Sequence, residues 1–165
     1  MALQRIPILN AFHAPDANGD TYWEPMGVTF GSNDRYNYLL LAFADQAAKE
    51  GVYVAFMVPL DYVGSPAIGG VWTTTATTGD VIWDMEYTAV DDAETLDPSS
   101  DQGSGTVTET AKGTARQAND FSMSLPASDF APGDVVIGFF SRDGVNDTLA
   151  ATAWIANLYF EYSDS

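Results

Sequence analysis

The decapeptide Val81-Ile82-Trp83-Asp84-Met85-Glu86-Tyr87-Thr88-Ala89-Val90 alternates from end to end. Val81, Trp83, Met85, Tyr87 and Ala89 fall on one face of an extended chain; Ile82, Asp84, Glu86 and Thr88 fall on the other. Successive side chains of a strand point to opposite sides, so this spacing predicts a strand with its apolar face in a core and its polar face mostly in solvent. The same pattern recurs outward along the chain. Asn119 to Leu125 places Phe121, Met123 and Leu125 on one face, and Trp154 to Tyr162 does so with Trp154, Ala156, Leu158 and Phe160. Val52 to Val58 and Val135 to Ser141 read as strands buried on both sides. Ile6 to Phe12, Tyr22-Trp23, Val28 to Phe30, Tyr36 to Phe43 and Val71 to Thr78 are further strand segments, and Thr106 to Thr110 reads as an edge strand.

Turn chemistry separates these runs. Gly79-Asp80 reads as a hairpin turn between its flanking segments, and Ala131-Pro132-Gly133-Asp134 as a turn into the strand that follows. Helical periodicity is weak throughout. The best helical piece is Ala42 to Glu50, good helix formers ended by Gly51 and long enough for about two turns. Eight to ten strands with at most one short helix predict an all-β, antiparallel sandwich or barrel. No repeat of 20–50 residues is present. With 165 residues, one domain spanning 1–165 is expected, and 91–105 is expected to be a mobile acidic loop.

Twenty-three acidic residues against six basic ones give a formal net charge of −17. Such a surface repels phosphate backbones and anionic lipid, so nucleic acid and membrane are not expected partners. The apolar runs Tyr38 to Ala44 and Val52 to Leu60 are far shorter than the ~20 residues of a membrane helix. Like-charged copies stay soluble at high concentration, which suits a protein made in many copies; adaptation to salt would explain the acidity equally well. Without cysteine, disulfides, thiolate metal sites and thiol nucleophiles are excluded.

Motifs for catalysis are sparse. His13 is the only histidine, and no G-x-S-x-G elbow accompanies it, so it reads as a solvated loop residue. Asp16-Ala17-Asn18-Gly19-Asp20 spaces oxygen ligands as calcium loops do, but Thr21 and Gly27 stand where such a loop needs glycine and glutamate. It reads as a turn. Asn146-Asp147-Thr148 matches a glycosylation sequon, by chance on this reading. No catalytic residue, cofactor or metal is assigned, and the chain is expected not to be an enzyme. A carboxylate pair of the kind glycosidases use would be invisible at this level. Trp83 and Trp154, set among alternating apolar residues, read as core. Trp23 and Trp72 are open to two readings, core or an exposed platform on which a sugar stacks.

From Val81 onward, the strand Val81 to Tyr87 with its inward tryptophan, an acidic loop, a strand ending near Leu125-Pro126, the run Ala131-Pro132-Gly133-Asp134 through Ser141-Arg142-Asp143, then Asn146-Asp147-Thr148-Leu149 and the last strand Trp154 to Tyr162, in that order, resemble the jelly-roll virion proteins of tailed bacteriophages. The resemblance covers roughly the C-terminal half. It implies a jelly roll and a head decoration (cement) protein: a homotrimer made in the host cytoplasm that binds the major capsid protein on the outer capsid surface of the virion. Within that reading Leu3, Ile6, Ile8, Leu9, Phe12, Trp23 and Trp72 are candidate interface residues. Residues 1–12 form either an N-terminal arm or an ordinary first strand. Arg142 is expected to pair with a carboxylate, Asp147 foremost, and pin the loop before the last strand. The alternative function is a tail-fibre, receptor-binding or carbohydrate-binding β-sandwich module.

Overall fold

A computed structural model of the chain describes residues 2–8, 21–27, 37–92, 94–95 and 103–164. The side chains of 21–27 and 37–39 are not among what it describes. Ten strands run in chain order: β1 (Leu3–Pro7), β2 (Thr21–Gly27), β3 (Asn37–Phe43), β4 (Lys49–Met57), β5 (Tyr62–Thr74), β6 (Asp80–Val90), β7 (Gly103–Thr110), β8 (Asn119–Ser124), β9 (Val135–Asp143) and β10 (Ala153–Asp164). A single 3-10 turn at Ala127–Asp129 is the only helical element among the described residues. None of these helical residues forms a segment long and apolar enough to cross a membrane.

The strands form two antiparallel sheets. One has the order β2-β3-β10-β5-β8, with β1 also paired to β10; the other has the order β4-β9-β6-β7. From β3 onward the chain changes sheet at every connection except β6 to β7. The four-strand orders β3-β10-β5-β8 and β4-β9-β6-β7 are those of a jelly-roll β-sandwich.

The inner faces carry the residues that alternation assigned to them. Val81, Trp83 and Met85 are fully enclosed, Tyr87 is almost so, and Phe121 and Met123 meet them from the opposite sheet. Trp83 is the hub. Its ring lies 5.2 Å from Phe43, 5.4 Å from Phe140, 5.9 Å from Phe121 and 6.2 Å from Trp72. Each such pair contributes about 0.5–1.5 kcal/mol beyond the burial of its area.

Five local expectations are corrected. Val52 to Val58 and Val135 to Ser141 are enclosed on one face only, with Tyr53, Ala55 and Met57 exposed and Val135, Ile137 and Phe139 half-buried. Ala42 to Glu50 is not helical: Ala42 and Phe43 end β3, and Lys49 and Glu50 open β4. Helix propensity gives way because Phe43 is needed in the core and the backbone there pairs with both β2 and β10. Gly79-Asp80 does not close a hairpin, because β5 and β6 belong to different sheets. Gly79, at φ +100°, lets the chain pass against the backbone of Thr148 and Leu149 as it crosses between them. β7 begins at Gly103, so residues 103–105 are strand at the edge of the four-stranded sheet; residues 93 and 96–102 of the expected loop lie outside the described residues. Trp154 is half-buried and Ala156 exposed, whereas Ala153, Ile155, Leu158 and Phe160 are enclosed. A register shift between Ile155 and Asn157 inserts one residue and reverses the parity from there to Tyr162.

Arg142 ties the layers together. Its side chain is wholly enclosed, and Nε donates to Asp147 Oδ2 at 2.6 Å. Nη1 donates to the carbonyls of Phe43 (3.2 Å), Ala44 (3.1 Å) and Ala151 (2.8 Å), and Nη2 to that of Leu149 at 2.5 Å. One guanidinium thus joins β9, the end of β3 in the other sheet, and the loop leading into β10. Asp143 shapes the start of that loop by accepting from the backbone N–H of Val145 and Asn146 and from the side-chain amide of Asn146. Removing one partner of a buried ion pair leaves an uncompensated charge, at a cost of about 3–5 kcal/mol. Asp147→Asn and Arg142→Met should each lower stability by that order in urea titrations, and the Arg142→Met, Asp147→Leu double variant should lose less than the sum.

The two ends of the described chain are clasped. β1 pairs with β10 from Leu3 opposite Ser163 to Pro7 opposite Tyr159. The Ala2 N–H donates to Asp164 Oδ1 at 2.8 Å, and the Gln4 amide to Asp164 Oδ2 at 2.9 Å. Those donors hold the Asp164 carboxyl below its ordinary value. A carboxylate lowered on folding stabilises the fold above its unfolded pKa of about 3.9 and loses that contribution as pH falls through the lowered value. Asp164→Asn should therefore flatten the pH dependence of unfolding below about pH 4, read from thermal melts across pH 2–6.

Candidate functional site

Four strands of the six-stranded sheet present a polar outer face, and their register arranges it in rows. Arg5 of β1 lies opposite Glu161 of β10, which lies opposite Ala67 of β5, which lies opposite Ser124 of β8. The next row is Pro7, Tyr159, Gly69 and Ser122; the third is Asn157, Val71 and Asp120. Burial alternates accordingly, with Asp120, Ser122 and Ser124 exposed and Phe121 and Met123 enclosed between them. The Asn157 register shift is what turns Asn157, Tyr159 and Glu161 outward together.

These rows frame an open cleft of about 550 Å³ lined by Arg5, Val71, Glu109, Asp120, Phe121, Ser122, Asn157 and Tyr159. Its size falls within the range of small-molecule sites. Gly69 matters here because it has no side chain: a Cβ would stand 2.5 Å from the Tyr159 ring, so the ring packs down onto the sheet over this glycine. The Arg5 guanidinium lies 4.6 Å from the centre of the same ring, and its Nε donates to Glu161 Oε2 at 2.6 Å. That hydrogen bond, and the field of Tyr159, raise the Arg5 pKa, so the group stays charged. Glu109 enters from β7 on the far side of the sandwich edge. Burial raises its pKa first; Lys112 opposes the shift and Asp120 adds to it. Lys112 itself donates from Nζ to the Ala118 carbonyl at 2.7 Å.

The cleft therefore offers the outward ring of Tyr159, an apolar floor at Val71, the Ser122 hydroxyl, an amide, carboxylates and a guanidinium, with Phe121 enclosed beneath. Such a lining can bury an apolar ligand face on the ring and floor while its planar polar groups accept and donate hydrogen bonds. Among the described residues no group of three or more His, Asp or Glu side chains is placed to hold a metal ion.

Those candidate interface residues whose side chains are described do not share one outer surface. Leu3 is exposed and Ile6 half-buried, both on β1, which pairs with β10 of its own chain. Ile8 and Trp72 are core, at 1% and 0% exposure, and neither is available to a partner or a sugar. Trp72 is drawn inward because its face of β5 is shared with Ile68, against Trp83. Leu9, Phe12, His13 and the Asp16–Asp20 run lie outside the described residues, as does the side chain of Trp23. Arg142 and Asp147 meet each other, and Trp83 lies in the core. The sequon asparagine, Asn146, is exposed but donates its amide to Asp143.

The cleft residues were missed. Their signal was the outward half of the alternation in β8 and after the bulge in β10, where Asp120 with Ser122 and Asn157 with Tyr159 recur two apart.

No protein-family model and no curated protein sequence matches the chain. Solved structures do. The K1 cleaved adhesin domain of Lys-gingipain from Porphyromonas gingivalis W83 superposes with a TM-score of 0.51 at 16% identity, covering 99% of each chain. A family 35 carbohydrate-binding module from Clostridium thermocellum gives 0.47 at 13% identity over the whole of both chains. The C-terminal CBM6 of LamC from Zobellia galactanivorans gives 0.46 at 10%, covering 98% of this chain and all of the other. At these identities the likeness extends to the fold and not to a ligand.

Flattening of Tyr159 onto Gly69 is directly testable. Gly69→Val should lift the ring and change the near-ultraviolet circular dichroism, with a loss of stability of about 1–3 kcal/mol. An unaltered spectrum and melting curve would contradict the packing described.

Proposed function

We propose that the chain is a carbohydrate-binding β-sandwich module that holds a glycan, without turning it over, in the cleft on the outer face of the six-stranded sheet. The observation that carries this reading is the cleft's composition: Tyr159 and Val71 beside Asn157, Asp120, Ser122 and Arg5, on four rigid strands. Sugars present apolar C–H faces and a rim of hydroxyls, so they need a ring or apolar floor together with planar hydrogen-bonding side chains. A site built on paired strands is already in place before the ligand arrives, which limits the ordering cost of binding. The net charge of −17 sits well with a neutral ligand and poorly with a polyanion.

Calorimetric titration with neutral oligosaccharides, chosen from a glycan array, tests this. Asn157→Ala, Asp120→Ala and Tyr159→Ala should each weaken binding at least about tenfold, in line with loss of a hot-spot contact. Binding that survives all three substitutions would overturn the assignment of the cleft. Release of reducing ends during the titration would make the protein a hydrolase, with Glu109 and Asp120 the carboxylates to examine.

A second reading, decoration of a phage head, is favoured by a different observation. The outer face of the four-stranded sheet carries an apolar band: Tyr53 is opposite Phe139, Ala55 opposite Ile137, and Met57 opposite Val135. Tyr53 is 52% exposed and Met57 58%. A capsid lattice would bury such a band. Addition of the purified protein to emptied heads should then raise their melting temperature, and Tyr53→Asp should abolish that effect.

A further inference from the structure

One pair of side chains at the cleft goes beyond sugar binding in general and bears on which sugars. Arg5 is the only cation lining the cleft among the described residues, and it is already engaged. Its Nε donates to Glu161 at 2.6 Å, and its guanidinium rests against Tyr159. The pairing is built into the register, since Arg5 and Glu161 are direct cross-strand partners on β1 and β10. The Arg5 side chain is 61% exposed, whereas that of Glu161 is only 14% exposed, so the carboxylate is the fixed member and the guanidinium the movable one. The other ionisable groups lining the cleft, Glu109 and Asp120, are acidic. Lys112 acts on Glu109 from nearby but is held on the Ala118 carbonyl.

We propose that Glu161 is a specificity-determining residue: by holding Arg5 against Tyr159 it sets the cleft for neutral sugars and against uronic-acid sugars. This rests on the carbohydrate-binding reading above. An arginine in a sugar site is ordinarily the natural partner of a carboxylate ligand, through two parallel N–H···O bonds. Here a uronate must share a guanidinium whose charge Glu161 already compensates, and must also approach Asp120 and Glu109, so it gains little net attraction. A neutral sugar accepts from the remaining guanidinium N–H groups and leaves the pair intact. Replacing Glu161 by its amide keeps the shape, removes the competing charge and frees the guanidinium for a ligand carboxylate.

Glu161→Gln in the full chain tests this. Affinities for a neutral oligosaccharide and for its uronic-acid counterpart of equal length are measured by calorimetry at low and at 0.3 M salt. The wild-type protein should bind the uronate measurably but more weakly than the neutral sugar. In the variant the ratio of uronate to neutral affinity should rise by about fivefold or more, as expected for one partly exposed ion pair. The gain should shrink at high salt and vanish in the Arg5→Ala, Glu161→Gln double variant. An unchanged ratio in the variant, or wild-type affinity for the uronate equal to that for the neutral sugar, would overturn the proposal while leaving sugar binding in place. Should the wild-type chain bind neither class, the carbohydrate reading falls and takes this inference with it.

Discussion

The guanidinium of Arg142 is the point at which the two sheets and the last loop are held to one another. It comes from β9, in the middle of the four-stranded sheet, and reaches carbonyls at the end of β3 in the six-stranded one. It also fixes the carbonyls of Leu149 and Ala151 just before β10 begins. A buried charge is tolerable only with such a complete set of acceptors, and Asp147 supplies the compensating charge. The consequence reaches past stability. The loop that Arg142 holds determines where β10 enters its sheet, and β10 is the strand that every other part of the outer face is measured against.

From that anchor the site follows in steps. β10 enters beside β3 and β5, shifts register at Asn157, and then runs between β1 and β5. The shift turns Asn157, Tyr159 and Glu161 outward, opposite Val71, Gly69 and Ala67. The glycine gives Tyr159 room to lie down, and β8 contributes Asp120 and Ser122 on the far side. Arg5 arrives through β1, whose clasp to β10 is closed by Asp164. Rigid strands therefore position every side chain of the cleft, and no loop is required to close over it among the described residues.

Much of the fold was legible in the sequence because alternation is a direct image of a half-buried strand. Trp83 with its neighbours, and Phe121 with Met123, lie where their spacing put them, and an antiparallel sandwich or barrel follows from strands of that kind; the jelly-roll order was implied only by the resemblance of the C-terminal half. What alternation cannot show is an inserted residue. After Ile155 the pattern still reads as a strand, but the inward set is Leu158, Phe160 and Tyr162, and Trp154 falls on the other side. Local propensity misled at Ala42 to Glu50, where core burial of Phe43 and pairing on both edges outweigh helix preference. Gly79-Asp80 misled in another way, since a turn signal says that the chain bends and not which sheet it joins next. The cleft itself depends on strand order. Arg5, Asp120 and Tyr159 are far apart in sequence, and only the sequence of neighbours β1-β10-β5-β8 makes them one surface.

The central claim is that this surface, and no other, receives a glycan. Titrating an isotope-labelled sample with a neutral oligosaccharide while recording amide chemical shifts tests it most directly. The account predicts saturable shifts concentrated at Arg5, Gly69, Val71, Asp120, Ser122, Asn157 and Tyr159. Shifts confined to the apolar face around Tyr53, Met57 and Phe139, or no shifts with any glycan that an array detects, would contradict it.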